Sequence, residues 1–174
     1  MRLRPATPAD LPLLRRWDEA PHLAGTMGDE SYNDWDWENQ LGREVPWREM
    51  LIAEADGRPV GFLQIIDPAE EESRYWSDCP AGLRAVDIWI GEPGDIRRGF
   101  GRQMMDLALG RCFADPAVTA VLVDPMADNS AGHRFYEAMG FRLVGPRSFG
   151  PDRCLVYSLE RARWREGREP CPRS

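Results

Sequence analysis

Residues 86–113 read VDIWIGEPGDIRRGFGRQMMDLALGRCF and change character twice. Val86, Ile88 and Ile90 are β-branched and Trp89 is aromatic, the composition of a strand. Pro93 and Gly94, within Gly91–Asp95, stop it. Past Arg97-Arg98-Gly99-Phe100-Gly101-Arg102, the apolar residues Met104, Met105, Leu107, Ala108 and Cys112 recur at helical spacing. A strand, a glycine-rich turn and a helix start make an anion site. Glycines let the backbone approach a phosphate, unpaired N–H groups and the helix dipole face it, and arginines add charge-assisted hydrogen bonds. The turn has neither the Gly-Lys-Ser/Thr of a Walker loop nor the third glycine of a dinucleotide fingerprint.

Working outward, Val118–Asp124 (VTAVLVD) reads as a buried strand and Asn129–Met139 as a helix. Phe141–Phe149 and Cys154–Glu160 read as two last strands joined at Gly150-Pro151-Asp152. Upstream, Leu83–Ile90 completes the central strand, and Trp47–Ala55 with Arg58–Asp67 form a hairpin around Asp56-Gly57. Val60, Phe62 and Ile65 are expected on one side of it and Gln64 on the other. Leu3–Thr7 predicts a first strand, and Thr7-Pro8 a helix start with Leu11, Leu14 and Trp17 on one face. Pro21–Pro46 is the least regular part, with a helix expected around Asn33–Leu41. Its Tyr32, Trp35 and Trp37 suit a sugar or amine site, or equally the packing of that helix on the sheet. Pro68–Pro80 is an acidic loop carrying Tyr75-Trp76. Strands alternating with helices imply an α/β fold, a mixed sheet covered on both faces. We expect a single domain over residues 1–161 and a polar, frayed tail over 162–174.

A chain of 174 residues with 43% hydrophobic content can bury a sizeable core. No apolar run is long enough for a membrane helix or a signal peptide, which predicts a cytoplasmic protein with no membrane partner. Four cysteines (Cys79, Cys112, Cys154, Cys171) lack CxxC spacing, and only His22 and His133 could join them, so neither a metal nor a disulfide framework is expected. A net charge of −7 argues against nucleic acid. The charge is uneven: Asp29–Glu38 and Asp67–Asp78 are acidic, Arg97–Arg111 and the tail basic. An anionic cofactor on one side and a cationic substrate on the other would account for that.

Asn129-x-x-Gly132-x-x-x-Tyr136-Glu137-x-x-Gly140-Phe141, behind the Arg98–Arg102 turn, resembles the paired motifs of the GCN5-related N-acetyltransferase superfamily. The resemblance runs from Leu3 to about Arg161. Within it, Val86-Asp87, the Arg-Gly-Phe-Gly turn, Phe113–Thr119, Asp124-Pro125 and Pro151-Asp152 resemble aminoglycoside 6′-N-acetyltransferases. The resemblance implies a GNAT fold, with a strongly bent sheet whose parallel central strands, 83–90 and 118–124, splay to admit the pantetheine arm of acetyl-CoA. It implies that backbone groups of Ile88, Trp89 and Ile90 face the thioester. Ile96 stands where that loop usually opens with Gln or Arg, which leaves the pyrophosphate to Arg97, Arg98, Gly99, Phe100, Gly101 and Arg102. Gln64, Trp76, Asp124 and Asp152 fall at substrate positions, and Tyr136 at that of the general acid. The substrate implied is a polycationic aminoglycoside, acetylated on its 6′-amine as a resistance activity, by a monomer or homodimer.

The residues can be read for this chemistry directly. Amine acetylation needs a neutral amine, a stabilised carbonyl oxygen and a protonated leaving thiolate. Strand alternation puts Asp87 with Trp89 and Gly91, opposite Val86, Ile88 and Ile90. A carboxylate in an apolar strand needs a reason, either as general base or as partner of Arg84. A carboxylate beside an ammonium raises the amine pKa, so Asp87 assists only if it also takes the proton, directly or through water. Asn129 is either a helix N-cap or a cofactor contact. Asp124 and Asp152 are turn residues or, with Asp87, three acids round one cleft. Rival readings are a same-fold enzyme acylating a siderophore precursor or a peptide amine, and a non-catalytic acyl-CoA-binding sensor.

Overall fold

Asp56 and Gly57 both adopt positive φ (51° and 78°), the backbone a two-residue hairpin turn requires, and the sheet grows from that hairpin. The computed structural model describes residues 1–24, 26, 36–77 and 79–168. Its strands are β1 (Arg2–Pro5), β2 (Arg48–Ala55), β3 (Arg58–Ile66), β4 (Leu83–Ile90), β5 (Ala120–Val123), β6 (Arg142–Phe149) and β7 (Asp152–Glu160). They form one sheet in the order β1-β2-β3-β4-β5-β7-β6, antiparallel except for β4 and β5.

The parallel pair sets up the site. Only Leu83–Ala85 pair with Ala120–Leu122. Beyond Ala85, β4 runs on to Ile90 along β3, while the chain after β5 turns away at Asp124-Pro125. The two strands part, as expected of a GNAT fold, and a wedge opens between them.

Helices cover both faces. On one, α3 (Phe100–Cys112) buries Met104, Met105, Ala108 and Leu109 against Val86, Leu63 and Val121, joined by α4 (Ser130–Ala138) through Tyr136. On the other, α1 (Leu11–Asp18) and α2 (Trp37–Gln40) pack Leu14, Trp17 and Trp37 on Ile52 and Phe62. Thr7 and Asp10 open α1 through a short 3-10 turn, the Thr7 N–H donating to Asp10 at 2.8 Å.

Several expectations are corrected. Of the two readings left open for Trp37, packing holds: it is a core residue, 5% exposed and edge-on to Phe62. Within the expected 33–41 helix only Trp37–Gln40 is helical among the described residues; Tyr32 and Trp35 lie outside them. Gln64 shares the face of Phe62, whereas Val60 and Ile65 pack under α3 on the other. Gln64 with Phe62 and Ile65 opposite is plain strand alternation; Val60, left unpaired where Ala53 and Glu54 face Gly61 and Pro59, is the residue that the bulge moves to the other face. The first strand runs over Arg2–Pro5 and the buried fifth over Ala120–Val123, each shifted or shortened at its ends. The expected frayed tail begins as a helix, α5 (Arg161–Glu166). Its sequence is polar, but Trp164 packs on Phe113 at 4.9 Å and Arg161 donates to the carbonyls of Phe113, Val118 and Asp115. The Asp115 carbonyl also accepts from the Val118 N–H at 3.1 Å, and Arg161 ties all three carbonyls of this connection to the start of α5.

Candidate active site

The wedge holds a cavity of about 380 Å³ whose walls include Gln64, Asp87, Trp89, Asp124, Tyr136 and Asp152. The three acids of the sequence reading therefore meet around one space. Asp87 sits opposite Gln64 in the β3–β4 register and accepts a 2.6 Å hydrogen bond from Gln64 Nε2. Arg84 does not pair with it. One residue parity away, Arg84 points to the other face and bonds Asp67 at 2.8 Å. Burial pushes the Asp87 carboxyl up from its ordinary value, against the Gln64 hydrogen bond. Asp124 is pushed well up, by burial first and then by the Asp87 charge. Two carboxylates facing one low-dielectric cavity resist being ionised together.

Two buried polar atoms on this wall, Gln64 Oε1 and Trp89 Nε1, have no hydrogen-bond partner. Each is an opening for a ligand, the first for a donor and the second for an acceptor. Tyr136, 8% exposed, sits between Phe141 and Tyr157. Burial, with Asp87 and Asp124 adding to it, raises its phenol pKa, so the hydroxyl keeps its proton.

At the start of α3, Arg97 (φ 63°) and Gly99 (φ 81°) both take left-handed backbone. Gly99 is the N-cap and carries no side chain, so the first N–H groups of the helix are uncapped by the chain itself. That is the cradle an anion would fill. The conformational demand falls on Gly99. At Gly101, a Cβ would meet only the Phe135 ring, at an ordinary 3.7 Å. Arg98 is not a free cation: it donates to Asp95 at 3.0 Å and lies over the Phe100 ring. Asp95 is 4% exposed and also grips Arg58 through two hydrogen bonds, at 2.6 and 2.9 Å. Those bonds hold its carboxyl below the usual range. Asp95 and Arg58 escaped the sequence reading; an acid inside an anion loop was the signal. Arg97 and Arg102 frame the same turn. The edge of β4 over Val86–Ile90 that parts from β5 has no strand partner among the described residues, which leaves the main-chain N–H groups of Ile88 and Ile90 to a ligand; contrary to the sequence reading, those of Trp89 face β3, and the Ile90 carbonyl already meets His22 Nε2 at 2.9 Å.

Asn129 takes the N-cap role, its side chain accepting the Gly132 N–H at 2.9 Å, while also lining the cavity. Trp76 lines it too but is 3% exposed and anchored among Ala85, Leu122 and Phe149. Asp152 is the first residue of β7 rather than a loop residue, 8% exposed. Tyr75, on the same loop and given no role from the sequence, donates its hydroxyl to Asp124 at 2.8 Å.

Comparison with known proteins agrees with this geometry. Residues 6–149 match the acetyltransferase (GNAT) domain model. An aminoglycoside N(6′)-acetyltransferase type 1 from Klebsiella pneumoniae is 27% identical over 164 residues, spanning 91% of this chain and 81% of that protein. Lysine N-acyltransferase MbtK from Mycobacterium tuberculosis is 26% identical over 164 residues, spanning 91% and 76%. The crystal structure of aminoglycoside acetyltransferase AAC(6′)-Ib in complex with coenzyme A and kanamycin has the same fold, with TM-score 0.85 at 23% identity over 96% of this chain and 98% of that one.

Proposed function

The chain belongs to the GNAT acetyltransferase family, and on that premise we propose that it transfers acetyl from acetyl-CoA to an amine of a polycationic aminoglycoside, at the 6′ position, as a resistance activity. The observation that carries the substrate half is the meeting of Asp87, Asp124 and Asp152 round one cavity, with no ion pair to Asp87 or Asp124 among the described residues. Asp87 and Asp124, with no ion pair of their own in a partly closed space, are a seat for ammonium groups.

The cofactor half is supported by the fit of the α3 start. Its uncapped N–H groups, with Arg97, Arg98 and Arg102, would hold the pyrophosphate, and the unpartnered edge of β4 the pantetheine arm. Acetyl-CoA, when bound, supplies an activated acetyl thioester. Main-chain N–H groups of Ile88 and Ile90 would then stabilise the carbonyl oxygen as it gains charge. Asp87 orients the amine and takes its proton; a raised pKa makes it a stronger base than an exposed aspartate. Tyr136 holds a proton for the departing thiolate. Cavity walls of Trp89, Val86 and Ile88 exclude water and strengthen each of these interactions.

Gly99→Val should weaken coenzyme A binding on the order of tenfold, because a β-branched residue is strained at φ 81°. Isothermal calorimetry on the folded variant measures it, and unchanged affinity would remove the anion-loop assignment.

For the acceptor, Asp124→Ala or Asp152→Ala should raise the Michaelis constant for kanamycin-like substrates on the order of tenfold, more than it lowers turnover. The effect should shrink at high salt. The direct assay follows thiol release from acetyl-CoA over a panel of aminoglycosides with and without a 6′-amine, with products mapped by NMR. Turnover of a lysine-type or peptide amine, with none for any 6′-amino compound, would assign the site to a different acceptor.

A further inference from the structure

Tyr75 has no part in the reaction as described, yet it is one of the most constrained side chains at the site. Its ring lies flat on Phe149, with centroids 4.2 Å apart and planes 2° apart. The Phe149 ring is in turn edge-on to Trp76 and has the Arg147 guanidinium 4.9 Å from its centroid. Arg147 also donates to the Trp76 carbonyl, tying the loop to β6. The Tyr75 N–H donates to Glu71 at 2.8 Å. On either side of Tyr75-Trp76, Arg74 (φ 53°) and Ser77 (φ 56°) take left-handed backbone, a cost for residues with side chains. The loop is bent twice so that two aromatic residues turn inward, and the hydroxyl at the end of this stack meets the Asp124 carboxylate.

Among the described residues each of the two facing carboxylates has one side-chain donor: the Gln64 amide for Asp87 and the Tyr75 phenol for Asp124. The charged and titratable groups around Asp124 are Asp87 on β4, Arg147 on β6, Asp152 and Cys154 on β7, and Tyr136 on α4. None of these is seen to donate a hydrogen bond to the Asp124 side chain among the described residues; Tyr75 does.

We propose that Tyr75 is a positioning residue for the acyl-acceptor site: held by the Phe149–Arg147 stack, its hydroxyl fixes the Asp124 carboxylate and favours its anion, so that Asp124 and Asp87 can together receive an ammonium group. The inference rests on the aminoglycoside reading for the identity of that ammonium, but the hydrogen bond and its effect on ionisation do not depend on it. The direction of burial supports the need: Asp124 is pushed well up, and the phenol opposes that push. A hydroxyl bonded to a carboxylate is a charge-assisted contact, stronger than one between neutral groups.

Tyr75→Phe removes the hydroxyl and keeps the stack, which makes it the discriminating variant. Carbon-13 NMR of aspartate-labelled protein, assigned with Asp124→Asn, reads the Asp124 carboxyl directly. Its titration midpoint should move up by about one pH unit, the shift expected for losing one hydrogen bond to a charged group. In turnover, the acid limb of kcat/KM should move up with it while the alkaline plateau stays within a few-fold of the parent. In the double variant with Asp124→Asn, Tyr75→Phe should move the limb no further. An unmoved carboxyl midpoint would overturn the proposal. So would a uniform fall in kcat/KM at every pH with the limb in place, which marks a wall residue only. Should the parent enzyme acetylate no aminoglycoside, the substrate reading fails while the NMR titration still judges Tyr75.

Discussion

Asp87→Asn is expected to lower turnover by about two orders of magnitude or more while leaving coenzyme A affinity within a few-fold. The substitution keeps the shape and an oxygen for the Gln64 amide, which donates to Asp87 at 2.6 Å, and removes only the ability to take a proton. Thiol release at saturating amine measures the loss; near-parental turnover would show that another group is the base. The parent should carry a matching pH signature. Burial raises the Asp87 carboxyl, so kcat/KM should fall on acidification through a midpoint above the ordinary carboxylate range. Stability moves the opposite way. A carboxyl whose folded pKa is raised binds its proton more tightly in the native state, so native stability is lost as pH rises through that pKa. Asp87→Asn has no such charge to bury. It should melt above the parent at neutral pH and lose that advantage in acid below the ordinary carboxylate range. A variant that is inactive but more heat-stable cannot owe its inactivity to misfolding.

The largest structural effect is expected at Gly91, immediately after the strand that carries Asp87 and Trp89. A Cβ there would lie 1.9 Å from the Trp17 indole. Trp17 is 1% exposed, and its Nε1 donates to Glu92 at 3.0 Å, so the ring has nowhere to go. Gly91→Ala should therefore cost about 3 kcal/mol, at the upper end for overpacking a filled core. In a chain of this size that lowers Tm by roughly 6–12 °C. Differential scanning calorimetry checks it. A fall of under two degrees would mean that α1 can lift from the sheet without penalty. Turnover in the variant should drop as well, because the β4 end that presents Ile88–Ile90 must shift to relieve the contact.

Much of this protein was determined locally by its sequence. The Asp56-Gly57 turn, the β4 strand, the Gly99 helix start and the Ser130–Ala138 helix capped by Asn129 are written in short-range chemistry: turn residues, β-branching, caps and helical spacing. So is Asp87 as an acid on an otherwise apolar strand. What the tertiary structure alone decided is which distant groups complete each of these. Asp124 follows the last residue of β5, Asp152 comes from β7 and Gln64 from β3, and only the parting of β4 from β5 brings them round one cavity. Arg58 neutralises Asp95 across 37 positions, and Tyr75 reaches Asp124 across 49. A bulge at Val60, facing Ala53 and Glu54, sent that one side chain to the face opposite Phe62, and Arg161 with Trp164 turned a polar tail into a helix. The division has one cause. Backbone preference and periodicity act over a few residues and leave a mark in composition, whereas burial, charge pairing and hydrogen-bond completion are properties of surfaces that exist only after the chain has closed on itself.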